Sequence, residues 1–224
     1  EERMKKIPLS PEAMAKRVAE ELPDGSFVNL GIGLPTLVSN FVPEGRTVIF
    51  QTENGILGCG PIALEGKEDP YLVNAGGQFV TLLPYASIFN QAEAFVMIRG
   101  GHIDISVLGA LEVSEEGDLA NWFVPERGVG RIGGAMDLVN GVKKVIIITR
   151  HATKDGRPKI VKKCLYPLTG KRVVDMIVTD LAVVEITEDG LLLREIAPSF
   201  TVEEIQSLTE PKFKLSEDLK EMAV

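Results

Sequence analysis

The chain has 224 residues, a net charge of −8 and a pI near 5.0. Hydrophobic residues make up 45% and charged residues 25%, a composition that is typical of a globular core and excludes a largely disordered chain. The acidic balance argues against a nucleic-acid-binding protein, which needs clustered Lys and Arg. No apolar run reaches the roughly 18 residues of a membrane-spanning helix. We therefore expect a folded protein with neither a nucleic-acid nor a membrane partner.

The two cysteines, Cys59 and Cys164, lie far apart and form no CxxC pair, so neither a zinc site nor a disulfide framework is predicted. The spacing of His, Cys, Asp and Glu indicates no other metal site. Residues 1–6 lack the apolar core of a signal peptide, and a cytoplasmic protein is expected. Because no stretch has the composition of a linker, residues 1–224 are predicted to form a single domain with peripheral tails over 1–9 and 211–224.

Helices and strands are predicted to alternate in the first half of the chain. Ser10 and Pro11 are typical of a helix start, and apolar residues recur at helical spacing as far as Leu22. A strand over 26–30 runs into the glycine turn at 31–36, where a second helix is expected to open. The other predicted elements of this half are a buried strand over 47–50, a loop over 58–61, a strand over 71–74, a helix over 87–94 and a strand over 95–98.

Strands are predicted to dominate the second half. The turn at 115–118 indicates a hairpin, and the glycine cluster at 128–138 precedes a helix that begins near Ala135. The β-branched run 143–149 is typical of a strand buried on both faces near the centre of a sheet. The remaining predictions are strands near 159–161, 173–178, 181–186 and 191–196, and a short helix with a capping box at Thr201. This order favours a single open α/β domain with a mixed, largely parallel sheet.

Glu53 is the residue around which the chain is predicted to be organised. It follows the strand over 47–50 and precedes Asn54 and Gly55, a pair that is typical of a tight turn. Ligands of open α/β sheets bind beyond the carboxyl ends of the strands, which gives a carboxylate at that edge a functional interpretation. Glu residues are also commonly exposed beside surface turns, so the strand and the turn alone leave both interpretations open.

Several glycine-rich segments are candidate binding loops. The amides around Gly31 and Gly33 favour an anion at the start of a helix, although the same glycines also permit tight packing. The cluster 128–138 offers amides that can bind an oxyanion. His102, which follows Gly100 and Gly101, is expected to be structural or to line a pocket. The sequence has no GxSxG motif, so a hydrolase triad has no support.

Six ordered segments together resemble one protein family. The segment Gln51-Thr52-Glu53-Asn54-Gly55-Ile56-Leu57-Gly58 is similar to the Ser-Glu-Asn-Gly active-site segment of family I coenzyme A (CoA) transferases, in particular of the β chains of 3-oxoacid CoA-transferases. Thr52 stands where that family usually has serine and keeps the hydroxyl. The other similar segments are 31–35, 99–104, 117–122, 133–138 and 167–170.

The resemblance implies a CoA-transferase fold, which is similar to that of the sugar-phosphate isomerases, and a transfer of CoA between carboxylic acids, with a short 3-oxoacid such as acetoacetate expected. Glu53 would be the catalytic nucleophile, and Gly134 or Gly133 would supply the oxyanion amide. The pocket loops would include Gly31, Gly33, Asn54, Gly55, Gly100 and Gly101. CoA would be a substrate, with no permanently bound cofactor. The partner would be an α subunit in an α2β2 or similar heteromer.

Two other functions stay open at this point. Water can intercept a glutamyl thioester, so the same fold could serve an acyl-CoA hydrolase. A ligand-sensing domain with the same architecture would use the glycine turns to hold an effector and would leave Glu53 inert. The two enzymes differ in whether an acceptor acid is required, and a sensing domain would form no covalent adduct on Glu53.

Overall fold

The computed structural model describes residues 6–128, 130 and 132–223. The helices in this part of the chain are short; one precedes the first strand, and the others lie between strands. A 3-10 helix, Leu34–Phe41, follows the first strand, and a 3-10 turn spans Pro125–Arg127. The α-helices are α1 (Pro11–Ala19), α2 (Gln91–Arg99), α3 (Ala135–Gly141) and α4 (Val202–Ser207).

Most of the strands belong to one large sheet, and three shorter strands form a second. The strands of the large sheet are β1 (Phe27–Leu30), β2 (Ile49–Thr52), β3 (Ile56–Ile62), β4 (Val80–Ile88), β5 (Ile105–Leu108), β8 (Lys144–Thr149), β10 (Met176–Thr179), β11 (Ala182–Thr187), β12 (Gly190–Ile196) and β13 (Lys214–Glu221). The strands of the small sheet are β6 (Glu112–Ser114), β7 (Leu119–Ala120) and β9 (Ile160–Val161).

The large sheet has ten strands in the order β13-β12-β11-β10-β8-β5-β1-β2-β3-β4. Its centre, from β2 through β1, β5 and β8 to β10, is parallel throughout. The antiparallel pairs β2–β3–β4 extend one side and β10–β11–β12 the other, before β13 adds a parallel edge strand. The predicted fold class, an open α/β domain with a mixed sheet, is confirmed.

The strand β8 shows why the sheet is covered on both faces. Successive side chains of a strand point to opposite faces. Val145 and Ile147 pack into a core with α2, α3, α4 and the small sheet, whereas Ile146 and Ile148 pack into a core with α1 and the 3-10 helix. The inner residues of a strand in this position must all be apolar, and residues 145–148 of β8 show that pattern. The prediction that 143–149 lies near the sheet centre is confirmed.

The prediction of a helix over 87–94 followed by a strand over 95–98 is wrong. Residues 87–88 end β4, and the apolar residues 95–98 belong to α2. A capping box starts this helix, because the Asn90 side chain accepts from the Glu93 amide and the Glu93 carboxylate accepts from the Asn90 amide. A four-residue apolar run has no distinctive period, so the cap is the signal that identifies the helix.

Three further predictions from glycine-rich or short segments need correction. Residues 58–61 are part of β3, where the close approach of Gly60 to Thr81 leaves no room for a side chain. The helix expected after the glycine turn is a 3-10 helix. Residues 71–74 form a single bridge, Val73 to Phe79, and no strand. Glycine in these segments serves close packing and tight turns within regular structure.

The buried ion pair between Arg17 and Glu195 joins α1 to β12, the strand next to the edge of the sheet. Two hydrogen bonds link the guanidinium to the carboxylate, at 2.8 and 3.0 Å, and the side chains are 9% and 5% exposed. Residues 214–221, which were expected in a peripheral tail, form the edge strand β13 instead, where Lys220 lies 3.5 Å from the Glu195 carboxylate, and Met222 is buried. Arg17 also bonds Glu21, which Lys144 contacts from the start of β8. These contacts hold α1 against the amino ends of the central strands.

Replacing Arg17 with Met is expected to lower the free energy of unfolding by about 3 kcal/mol, because Glu195 would remain buried without its main partner. The double variant Arg17→Met/Glu195→Leu should recover most of this loss. Urea unfolding followed by circular dichroism measures both. Arg157→Met, which breaks the exposed pair with Asp155, is the matched control and should cost less than about 1 kcal/mol. Equal losses in the two single variants would contradict the prediction.

Candidate active site

Glu53 lies directly after β2, at the carboxyl edge of the parallel strands, as predicted. A tight turn carries its side chain out of the strand. Gly55 adopts a φ of +118°, and a Cβ there would lie 2.0 Å from the Phe89 carbonyl oxygen, so only glycine fits. The Thr52 hydroxyl accepts a hydrogen bond from the Ile56 amide at 3.1 Å. Because serine offers the same oxygen, threonine at position 52 keeps the contact that shapes this turn.

The structure brings Gly134 against the Glu53 carboxylate, although the two residues are far apart in sequence. The Gly134 backbone amide donates a hydrogen bond to the carboxylate. A Cβ at Gly134 would lie 2.6 Å from Glu53 Oε2 and 2.9 Å from the Phe95 ring, so the position requires glycine. Gly133 is exposed and has open space around it. Of the two glycines predicted to supply an amide, Gly134 is the one that reaches Glu53.

The surroundings of Glu53 raise the pKa of its carboxyl above the ordinary value. Burial is the largest cause, because it disfavours the charged form. The hydrogen bond from Gly134 acts in the opposite direction, and the negative charge of Asp137 raises the pKa further. Glu53 is nevertheless partly exposed, so a ligand can reach it. A desolvated, reachable carboxylate with a shifted pKa is typical of functional sites.

Three residues of α2 and α3 that support the Glu53 site were missed in the sequence. Phe95 packs its ring against Gly134, and Arg99 lies over the Phe95 ring at 5.6 Å and donates to Asp137 at 2.6 Å. These contacts hold α2 against α3, so they help to place the amide that meets Glu53. The misassigned strand over 95–98 hid Phe95. Asp137 lies in the first turn of α3, directly after the glycine pair. That position is the sequence signal that could have identified Asp137.

The glycine loop after β1 lies on the same edge of the sheet as Glu53. The Gly31 amide bonds the Val107 carbonyl of the neighbouring strand, and Gly33 takes a φ of +90° before the 3-10 helix. A small cavity of about 90 Å³ lies beside β2 and is lined in part by Ile32, Thr52 and Gly76. The exposed side chain of Asn54 anchors the loop that contains Val73, because its side-chain amide donates a hydrogen bond to the Val73 carbonyl at 2.8 Å.

Gly100 and Gly101 are not brought to Glu53. They end α2, and the chain then reaches Asp104, whose carboxylate bonds the Phe27 amide at the start of β1. This is the amino edge of the parallel strands, the side opposite Glu53. His102 is exposed there. The other histidine, His151, is buried between the Thr179 and Thr209 hydroxyls, and burial lowers its pKa to about 4.

Two other kinds of feature are absent from the described residues. No group of three or more His, Cys, Asp or Glu side chains in residues 6–128, 130 and 132–223 is arranged to hold a metal ion. In the same part of the chain, no helix is long and apolar enough to cross a membrane.

The sequence pattern of the family described as Coenzyme A transferase matches residues 11–208. The chain belongs to the coenzyme A transferase family. This transferase chain is 50% identical over 206 residues to a subunit of a probable succinyl-CoA:3-ketoacid coenzyme A transferase of Bacillus subtilis, covering 92% of this chain and 95% of the relative. It is also 50% identical over 208 residues to the beta chain of the acetate CoA-transferase of Escherichia coli K12, covering 93% and 95% of the two chains.

The fold of this transferase chain is similar to that of an acyl-CoA transferase from Escherichia coli O157:H7, solved as a thioester complex with CoA. The TM-score is 0.74 at 20% identity, covering 98% of this chain and 44% of the longer one. At that identity the likeness concerns the fold alone. The two relatives at 50% identity are each named as one subunit of an enzyme, which implies a partner subunit for the transferase chain. CoA is the substrate that the family shares.

Replacing Glu53 with Gln in the transferase chain is expected to raise its stability at about pH 7, because charging a group with a raised pKa opposes folding. The penalty is complete above the folded-state pKa and absent below the ordinary value of 4.5, so the gain should disappear as the pH falls towards about 4. Urea unfolding at several pH values measures the difference. Glu68→Gln on an exposed loop is the control. A gain that is independent of pH would contradict the expected cause.

Proposed function

We propose that this chain transfers CoA from an acyl-CoA to a short carboxylic acid and that Glu53 is the covalent nucleophile. The observation that supports this most is the Gly134 amide on the Glu53 carboxylate at the carboxyl edge of the sheet. A nucleophilic carboxylate and a fixed amide donor are the two groups that acyl transfer through a glutamate needs. The family membership provides the reaction class, and the contact suggests which residues carry it.

The proposed reaction is ping-pong. The Glu53 carboxylate attacks the acyl carbon of the donor thioester, which releases the CoA thiolate and forms a mixed anhydride. The thiolate then attacks the Glu53 carbonyl carbon, which gives a glutamyl-CoA thioester and releases the donor acid. The acceptor carboxylate attacks that thioester and forms a second anhydride. Finally, the thiolate attacks the acceptor acyl carbon, forms the new acyl-CoA and frees Glu53. No water or redox partner is consumed.

The Gly134 amide has a defined part in this sequence. When the CoA sulfur adds to the Glu53 carbonyl carbon, one carboxyl oxygen becomes the oxyanion of the tetrahedral intermediate. Gly134 already donates to the carboxylate in the free chain, so its N–H is in place before the charge develops. Such preorganised donors are typically worth about 3–4 kcal/mol each. A second donor is expected from the α subunit, in an α2β2 or similar heteromer.

A short 3-oxoacid such as acetoacetate is the proposed acceptor, with succinyl-CoA as donor. The B. subtilis relative is named for a 3-ketoacid and the E. coli relative for acetate, at the same identity. Values of kcat/KM for a panel of acceptor acids, measured on the chain assembled with its partner subunit, would separate these substrates. A preference for acetate over acetoacetate would overturn the 3-oxoacid assignment.

A CoA adduct on Glu53 is the central prediction. The chain with its partner subunit is incubated with succinyl-CoA without acceptor, and the peptide containing Glu53 is examined by mass spectrometry. The expected result is a thioester-linked CoA on that peptide, because the acceptor step cannot follow. Glu53→Ala should abolish both the adduct and transfer, whereas Glu68→Ala should abolish neither. Full transfer by Glu53→Ala would falsify the mechanism. Steady release of free CoA without acceptor would indicate a hydrolase instead.

Replacing Gly134 with Ala is expected to lower kcat by roughly 100-fold or more, since the new Cβ would displace the Glu53 carboxylate from the amide donor. Gly133→Ala adds the same methyl group one residue earlier, in open space, and should retain the rate of the parent. Steady-state kinetics on both variants, with thermal unfolding to check folding, tests the comparison. Similar rates for the two variants would show that the contact has no catalytic role.

A further inference from the structure

Three polar side chains form a row across the buried centre of the large sheet. Gln51 on β2 is in register with Asn29 on β1, and Asn29 is in register with Ser106 on β5. Residues in register on neighbouring strands point to the same face of a sheet. None of the three is more than 2% exposed. A buried polar group costs free energy unless it is hydrogen-bonded, so each of them needs a partner.

The row faces the helices that support the Glu53 site. In β1 and β5, the neighbouring residues Val28 and Ile105 pack with α1 and the 3-10 helix on the other face. Because successive side chains of a strand alternate between the two faces, the row points towards α2 and α3. Gly134 begins α3, so the row lies on the side of the sheet from which Glu53 receives its amide donor.

Hydrogen bonds join two members of the row to α2. The Asn29 side-chain amide donates to the Gln51 side-chain carbonyl at 2.7 Å and to the Gln51 backbone carbonyl at 3.2 Å. The Gln51 side-chain amide donates in turn to the Ala94 backbone carbonyl at 3.4 Å, the one acceptor that it reaches among the described residues. Asn29 holds the oxygen of the Gln51 amide, so the nitrogen is turned towards α2.

Ser106, the third member of the row, takes no part in this chain of bonds. Its hydroxyl is buried and has no hydrogen-bond partner in the part of the chain that the structure describes. Such a group lowers stability, because it has lost its water without gaining a partner. Ser106 therefore shows the cost of a polar residue in this row, whereas Asn29 and Gln51 add a connection between β1, β2 and α2.

The Glu53 turn is tied to the start of α2 on both sides of the carboxylate. Two residues before Glu53, the Gln51 side chain bonds Ala94 within α2. Two residues after it, the Gly55 carbonyl accepts a hydrogen bond from the Phe89 amide at 3.0 Å, just before α2 begins. The position of α2 relative to Glu53 therefore depends on one side-chain bond and one backbone bond.

The other side of α2 sets the position of the Gly134 amide. The Phe95 ring packs against Gly134. Further along, Gly141 of α3 approaches α2 so closely that a Cβ there would lie 2.3 Å from the Ile98 carbonyl oxygen. Since α2 and α3 pack backbone against backbone, the distance from Glu53 to the Gly134 amide depends on how α2 is held on β2.

We propose that Gln51 and Asn29 are positioning residues for CoA transfer, which hold α2 on β2 and thereby fix the Gly134 amide against the Glu53 carboxylate. An apolar pair of similar size would fill the same space and avoid the desolvation of two amides, so stability alone does not account for them. A displacement of about 1 Å at a reacting group can cost as much as about 100-fold in rate. The catalytic role rests on the proposed function, whereas the tether between β2 and α2 does not.

Gln51→Met tests the positioning role, because methionine has a similar size and cannot donate to α2. The chain with its partner subunit is mixed with succinyl-CoA, and formation of the CoA adduct on Glu53 is timed. The rate at saturation is expected to fall about 10-fold, while the half-saturating concentration stays within about 2-fold, since alignment is lost and the CoA contacts are kept. Ser106→Ala, which removes the unbonded hydroxyl of the same row, should match the parent. A parent-like rate in Gln51→Met, or an equal loss in Ser106→Ala, would overturn the proposal.

Stability separates positioning from folding. Asn29→Leu/Gln51→Met removes both amides together, so its urea midpoint is expected to equal or exceed that of the parent, although its adduct forms as slowly as in Gln51→Met. This variant also keeps the test valid if Gln51→Met alone leaves Asn29 unpaired and misfolds. A midpoint that falls in step with the rate of adduct formation would assign the amides to folding and overturn the role.

A mutant cycle with Glu53→Gln tests the tether without any turnover. Glu53 is buried beside Asp137, whose carboxylate is paired with Arg99, and its pKa is raised. If α2 and α3 loosen, water reaches Glu53, and the pH-dependent part of the stability gain from Glu53→Gln should shrink by about half or more in Gln51→Met. An unchanged gain would overturn the tether. If the parent forms no adduct on Glu53, the proposed function fails, and this cycle still decides whether Gln51 positions Glu53.

Discussion

The hydrogen bond from the Gly134 amide to the Glu53 carboxylate joins the end of β2 to the start of α3. It forms only if the Gly134 backbone approaches the Glu53 carboxylate closely, which is why a side chain at Gly134 has no room. Burial beside Asp137 raises the pKa of Glu53, and this amide counters the effect. The site therefore holds a carboxylate that is costly to charge next to one donor that stabilises the charge.

The parallel centre of the sheet determines which groups can meet this carboxylate. Strands β2, β1, β5 and β8 end at one edge, so the segments that follow them gather there. Glu53, the glycine loop at 31–35 and the large cavity lined by Arg127, Arg150 and Lys159 are all products of that arrangement. The segment with Gly100 and Gly101 is rich in glycine like the other loops, but it precedes a strand. The fold therefore places it at the opposite edge of the sheet. Glycine content alone does not distinguish these two positions.

Predictions of secondary structure from local patterns were correct where the pattern is compatible with one structure. The uniform apolar run of β8, the cap at Ser10 and the turn at Asn54–Gly55 were predicted from neighbouring residues alone. Predictions from local patterns were wrong where a short segment is compatible with two structures. Residues 95–98 fit a buried strand or a helix face, and the cap at Asn90 decides between them. In β3, the positive φ of Gly58 occurs within a strand with shifted register, a feature that the partner strand imposes.

The sequence by itself determined the class of fold, the position of Glu53 at a strand end and, through several ordered segments, the resemblance to CoA transferases. These depend on local periodicity and on motifs that lie within a few residues. Only the tertiary structure decided that Gly134, and not Gly133, reaches Glu53, that Phe95 and Asp137 surround them, and that cations converge on one cavity. Such contacts join segments far apart in the chain, and burial and electrostatic interaction depend on distance in space.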